Sequence, residues 1–170
     1  MGELNVWKRD SDHCIVTWEH VLIQVWRYTP TRQAVLELEQ IAAAFIAAQQ
    51  SGRISSIGVV EPTSPSPNRH ARAQFGRFFR AIAPHVDESI VVPLGGGLRG
   101  AVIRGVGVGL SSMTPGGLSF RFAGTVAQAA QLVAPYLSPE AGGAAALESA
   151  IEQARVIANT ASADKAWRGR

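Results

Sequence analysis

The chain of 170 residues is poor in cysteine and has no long apolar run. Its one cysteine, Cys14, excludes an intramolecular disulfide and a four-cysteine zinc site. Cys14 stands in a β-prone run before Ile15 and Val16, where a small buried hydrophobe is expected rather than a nucleophile. No stretch approaches the ~20 apolar residues that cross a bilayer. We therefore expect a soluble, cytoplasmic protein with no membrane span.

Aromatic residues make up only 7% of the chain and charged residues only 17%, whereas 46% are hydrophobic. A chain of this length can bury roughly 70% of its unfolded surface, which is enough for one core. The formal net charge is +3, and three of the basic residues (Lys165, Arg168 and Arg170) crowd the last six positions. So small an excess does not indicate a nucleic-acid partner.

Motifs that would carry catalysis are missing. The glycine run of residues 94–100 joins a predicted strand to a predicted helix but lacks the G-x-G-x-x-G pattern and the Lys-Ser end of a phosphate loop. We predict a tight turn there. None of the four histidines (His13, His20, His70 and His85) is paired with another His, Asp or Glu at i+3 or i+4 on a predicted helix. The sequence therefore predicts no metal, no cofactor and no catalytic residue.

Strand and helix signals alternate along most of the chain. Residues 14–18 and 21–28 predict a hairpin around Glu19 and His20, or one long bent strand, and an earlier strand fits residues 4–7. Further strands are predicted at 54–60, 89–93 and 118–122. Predicted helices start at Thr29-Pro30, at Ser66-Pro67, at residue 98 and after Thr125.

This alternation predicts an α/β fold: a mixed, mostly parallel sheet of about five strands with flanking helices over residues 1–137. Residues 138–170 are predicted to form an extra C-terminal helix (144–159) and a basic, disordered tail. The extra helix could lie on the domain or extend from it.

Three segments carry a resemblance to a known family: residues 21–28, the strand-loop-helix of residues 54–83, and residues 120–133. In their order they resemble the STAS domain of anti-sigma-factor antagonists and its lipid-binding relatives. The last segment is also similar to small STAS-like bacterial proteins. The resemblance covers about residues 13–137. Regulatory STAS domains carry a phosphorylatable serine in Asp-Ser-Ser/Thr-Gly, and the matching place here, residues 63–68, has hydroxyls but neither the acidic residue nor the glycine.

The loop of residues 62–68 is the predicted interaction or ligand-binding surface. It leaves a central strand and enters a helix N-terminus, where a partial positive charge favours an anion. Its predicted site residues are Thr63, Ser64, Ser66, Asn68, Arg69 and Arg72. The alternative is a rigid cap in which Ser66 only holds the start of the helix.

Small residues at four-residue spacing mark the predicted helix of residues 98–113. The row is Gly97, Ala101, Gly105 and Gly109. Each interior glycine costs a helix about 1 kcal/mol relative to alanine, so close packing must compensate. The row predicts contact either with a helix of the same chain or with a second copy in a homodimer.

We predict a non-catalytic regulatory or protein-interaction domain, with self-association as one form of the interaction. The alternative is a carrier of a small ligand or lipid, or an enzyme, with a pocket at the carboxyl ends of the strands. The loops after residues 60, 93 and 122 would line that pocket around a small anionic or apolar ligand.

Overall fold

Six strands form one sheet in the order β1-β2-β3-β4-β5-β6 in this computed structural model, which describes residues 2–95 and 120–168. The strands are β1 (Leu4–Arg9), β2 (His13–Trp18), β3 (Val21–Trp26), β4 (Ile54–Val60), β5 (Val86–Pro93) and β6 (Phe120–Phe122). The first three pair antiparallel, and β3 to β6 pair parallel. The predicted mixed, mostly parallel sheet is confirmed.

Four helices of the described part cover the two faces of this sheet: α1 (Arg32–Ala48), α2 (Arg69–Ile82), α3 (Val126–Val133) and α4 (Gly143–Arg168). Helices α1 and α2 share one face, here called the front face, where they bury Leu22 and Trp26 of β3. Both connect sequential parallel strands, and crossovers of one hand place such helices on the same side. Helices α3 and α4 cover the opposite, back face over Ile23 and Val25.

The C-terminal helix α4 lies on the sheet rather than extending from it. Leu147 and Ile151 are fully buried in the back core. Arg155 donates from Nε and a terminal nitrogen to the two carboxylate oxygens of Glu61, at 2.6 and 3.2 Å, which raises the pKa of Arg155. Arg27 donates to the carbonyl of Ala158 at 3.2 Å. Helix α4 is therefore held on the sheet both by apolar packing and by polar contacts.

Both predicted starts of the front helices are wrong by two residues. Helix α1 is capped by Thr31, whose Oγ1 accepts from the amide of Ala34 at 3.1 Å, and not by Thr29. Helix α2 is capped by Asn68, whose Oδ1 accepts from the amide of Ala71 at 2.9 Å, and not by Ser66. A cap is the residue whose side chain reaches the first free amides, and the prolines before each cap stay in the connection instead.

The predicted cap of α3 is confirmed, because Thr125 Oγ1 accepts from the amide of Gln128 at 3.1 Å. The predicted helix of residues 98–113, with its row Gly97, Ala101, Gly105 and Gly109, lies outside the described residues. No helix in the described ranges has the length and apolar character needed to span a membrane.

Substitution of Leu147 tests whether α4 belongs to the cooperative unit. Leu147→Ala should lower the free energy of unfolding by about 3 kcal/mol, because it leaves a cavity beneath the helix. Val156→Ala is the matched control on the same helix, because Val156 is 60% exposed and its loss should change stability by less than about 0.5 kcal/mol. Urea unfolding followed by circular dichroism measures both, and equal effects would show that α4 does not pack on the sheet.

Candidate functional site

A cavity of about 100 Å³, here called the sheet pocket, opens on the front face towards the carboxyl ends of the strands. Its floor is formed by β3 to β6, and its walls are α2 and the loop that follows β4. The described lining consists of Gln24, Trp26, Pro30, Ser56, Gly58, Val60, Ser64, Pro65, Ser66, Pro67, Phe75, Phe79, Ser89, Ile90, Val91, Phe120 and Phe122. This is the edge at which α/β sheets bind ligands.

Aromatic side chains form a continuous row along the pocket. Trp26 meets Phe75 edge to face with ring centroids 5.5 Å apart, and Phe75 stacks on Phe79 at 5.8 Å. Phe79 then meets Phe120 of the edge strand edge to face at 4.4 Å. Such rings offer large apolar area in fixed positions, which favours an apolar ligand.

Polar side chains interrupt the apolar floor at its centre. Gln24, Ser56 and Ser89 lie on three neighbouring strands, and each is 3% exposed or less. Gln24 Nε2 donates to Ser56 Oγ at 3.0 Å, and Ser56 is the register partner of Ser89. None of the described lining residues carries a charge. The floor can therefore recognise a neutral hydrogen-bonding group, and it favours such a ligand over an anion.

Gly58 leaves open space above the floor. It pairs with Gln24 on one side and Val91 on the other, so a side chain at this position would project into the pocket. Among the described residues, the atom nearest to a Cβ placed on this glycine would be Gln24 Oε1 at 3.9 Å, an ordinary contact distance. A glycine in a strand often marks a place where another group approaches the backbone closely.

Two hydroxyls of the predicted loop hold it against the connection between β3 and α1. Thr63 Oγ1 donates to the carbonyl of Arg27 at 2.6 Å, and Ser64 Oγ donates to the carbonyl of Tyr28 at 2.9 Å. Ser64 is 1% exposed and lines the pocket, as does the more exposed Ser66. The loop therefore forms one rim of the pocket.

The remaining predicted site residues lie at the start of α2. Asn68 serves as the helix cap, and Arg69 and Arg72 are exposed in the first turn. Neither arginine is part of the described lining of the sheet pocket. The structure thus brings Ser64 and Ser66 to the pocket and leaves the two arginines on the neighbouring surface, where a role in partner binding stays a prediction.

Two other kinds of side chain could take part in chemistry, namely a reactive thiol and a group of metal ligands. Cys14 is buried, and burial raises the pKa of its thiol to about 11, so it is not a thiolate at neutral pH. Within residues 2–95 and 120–168, no three His, Cys, Asp or Glu side chains are grouped to hold a metal ion.

Sequence reasoning missed the polar floor. Gln24 and Ser56 each interrupt a run that predicts a strand covered on both faces, and a polar residue in such a strand needs an internal partner. That signal is present at both positions. It does not show which partner each residue finds, because this depends on the register between strands.

No protein-family model, curated protein or solved structure matches this chain.

The loop contacts can be tested with a pair of serine substitutions. Ser64→Ala should lower the free energy of unfolding by about 1–2 kcal/mol, because it removes a buried hydrogen bond and leaves the carbonyl of Tyr28 without this donor. Ser66→Ala removes a hydroxyl at the exposed rim and should cost less than about 0.5 kcal/mol. Chemical denaturation gives both values. A larger effect at Ser66 would contradict this account of the loop.

Proposed function

We propose that the protein is a non-catalytic binding domain whose sheet pocket takes a small, neutral, mostly apolar molecule bearing one hydroxyl or amide group. The observation that carries the proposal is the combination of a continuous aromatic wall with an uncharged polar floor of Gln24, Ser56 and Ser89. Pockets of this composition use apolar area for affinity and a few placed polar groups for orientation.

The size of the pocket limits what it can enclose. An apolar cavity of about 150 Å³ is enough to hold benzene. The sheet pocket is smaller, at about 100 Å³, and it is open on one side, so even a single ring would fill it and any longer ligand must extend through the opening. The rim residue Ser66 lies where such an extension would pass.

The polar floor supplies selectivity. A hydroxyl that reaches the floor exchanges its hydrogen bonds to water for bonds to Ser56 or Ser89, with a net gain of about 1 kcal/mol. A charged group would lose far more solvation than a neutral floor returns. We therefore expect an alcohol to bind better than the matching hydrocarbon and much better than the matching carboxylate.

The predicted interaction role of residues 62–68 is compatible with this proposal. Ser64 belongs both to the rim and to the contact with Tyr28, so a ligand in the pocket would lie against the loop. A partner that binds the loop would then respond to ligand. The STAS-like relationship also remains a proposal, supported by the hairpin that leads into sequential strand-helix units. Self-association through the row at residues 97–109 stays a prediction.

Two substitutions at Gly58 test the pocket directly. Gly58→Leu should fill the space above Gln24 and abolish binding of benzyl alcohol, while Gly58→Ala, which the backbone accommodates, should retain it. Titrations followed by amide chemical shifts measure the affinities, and thermal melts confirm that both variants fold. Equal binding by the two variants would show that the ligand lies elsewhere.

The ligand series tests the polar floor. Wild-type protein should prefer benzyl alcohol to toluene and should bind benzoate weakest. Ser89→Ala should weaken the binding of benzyl alcohol about fivefold, the equivalent of one neutral hydrogen bond. The affinity for toluene should be unchanged. Failure of the wild-type protein to bind any of the three compounds would overturn the proposed function.

A further inference from the structure

A second cavity, of about 150 Å³, lies between the β1–β2 turn and the start of α1. We call it the turn cavity. In contrast to the sheet pocket it is polar, and its described lining includes Lys8, Asp10, Asp12, His13 and Glu37. The proposed function does not use any of these residues.

His13 is held in one orientation beside this cavity. Its side chain is only 5% exposed, and the imidazole stacks on Trp26 with ring centroids 5.2 Å apart. Nδ1 lies 3.1 Å from Asp10 Oδ1, which also accepts from the backbone amides of Asp12 and His13 at 2.8 and 2.9 Å. Asp10 Oδ1 is thus an acceptor, so in the neutral ring Nδ1 carries the proton and Nε2 presents a lone pair.

The lone pair on Nε2 faces another acceptor. Nε2 has no hydrogen-bond partner among the described residues, and Glu37 Oε2 lies 4.0 Å away. Glu37 is ionised at neutral pH, because its hydrogen bond with Lys8 lowers the pKa of the carboxyl. Burial lowers the pKa of His13, so its ring is neutral there. Neither group can donate to the other.

The 4.0 Å between these two acceptors is close to the spacing that one donor with two N–H bonds would bridge, although Nε2 itself is buried. Hydrogen bonds of about 2.9 Å from one tetrahedral nitrogen place their acceptors about 4 to 5 Å apart. A buried acceptor with no donor costs free energy, so the arrangement favours an occupant. A water molecule also has two hydrogens to donate, so it meets the geometric requirement. The charge of the cavity lining then determines whether water or a cation is favoured.

The charge of the lining favours a cation. Asp10, Asp12 and Glu37 contribute three carboxylates against the single ammonium of Lys8. Lys8 Nζ lies 3.0 Å from Glu37 Oε2 and 3.9 Å from Asp10 Oδ2, so Glu37 already accepts from one ammonium group and Asp10 lies near it. We propose that the turn cavity binds the primary ammonium group of a small amine, which donates to His13 Nε2 and Glu37 Oε2.

Ethylammonium chloride is the probe, with ethanol as the uncharged analogue and sodium chloride at equal ionic strength as the salt control. Binding is followed through the imidazole nitrogens of His13 and the indole N–H of Trp26. Ethylammonium should bind at least about tenfold more tightly than ethanol, because its hydrogen bonds to Glu37 are charge-assisted. Equal shifts with all three solutes, the result expected if only water occupies the cavity, would overturn the proposal.

Substitutions distinguish the site from a general attraction of cations. His13→Asn keeps an amide donor for Asp10 but removes Nε2, and it should weaken ethylammonium binding about tenfold. Lys8→Met should strengthen binding, because it removes the ammonium that competes for Glu37. His70→Asn, at an exposed position on α2, is the matched control and should leave the affinity for ethylammonium unchanged. Weaker binding of ethylammonium by the Lys8 variant would contradict the proposed contact between the bound ammonium group and Glu37.

The pH dependence provides a second readout. Lys8, Asp10, Asp12 and Glu37 face His13, and burial lowers the pKa of its imidazole from the usual value of 6.5. Protonation converts Nε2 from an acceptor to a donor towards Glu37. Binding should therefore weaken in the wild-type protein as the pH falls below 6.5 and through the lowered pKa of His13, and this loss should be absent in His13→Asn. The same slope in both proteins would assign the effect to another group and overturn the role of His13. Binding of benzyl alcohol to the sheet pocket is measured in parallel. Each proposal can then fail without the other.

Discussion

Strands β2 and β3 are buried at every position, because helices cover the sheet on both faces. Each apolar side chain in these strands must therefore meet a helix, in front or behind. The same constraint acts on polar side chains, which have no water to bind. Gln24 donates to Ser56, which lies 32 residues further along the chain, and this pair is part of the floor of the sheet pocket.

One ion pair joins the two sides of this layered structure. Glu61 follows β4 directly and is 7% exposed, and its carboxylate takes both hydrogen bonds from Arg155 of α4. Loss of Arg155 would remove two charge-assisted hydrogen bonds from the buried carboxylate of Glu61, which is destabilising. The back helix α4 and the front loop that forms the pocket rim are therefore positioned together. This explains why a C-terminal segment distant from the pocket belongs to the same unit.

Trp26 connects the two cavities in a different way. One side of its indole stacks on His13 at the turn cavity, and an edge contact to Phe75 begins the aromatic row of the sheet pocket. The two cavities thus share a wall but differ in chemistry. One presents neutral hydrogen-bonding groups among aromatic rings, and the other presents carboxylates around a buried imidazole.

Local signals in the sequence predict most of the fold. The strand at residues 54–60 matches β4, and the hairpin turn falls at Glu19, whose φ of 51° suits a tight turn. The predicted helix starts fall too early because hydroxyl residues and prolines cluster before both caps, and the sequence does not show which side chain reaches the first free amides. A pocket at the carboxyl ends of the strands is predicted as an alternative, but the polar floor of the sheet pocket and the turn cavity depend on register and could not be predicted. Gln24 reaches Ser56 and His13 approaches Glu37 only after the strands and α1 have packed.

The most direct test of this account is to locate a bound molecule on the sheet. Isotope-filtered nuclear Overhauser spectra of the protein with benzyl alcohol should show contacts from the ligand ring to the methyl groups of Val60 and Val91 and to the ring protons of Phe75. Val59 and Val92 point to the back face and should show none. Contacts to the back-face valines, or to neither set, would contradict the assignment of the sheet pocket as the binding site.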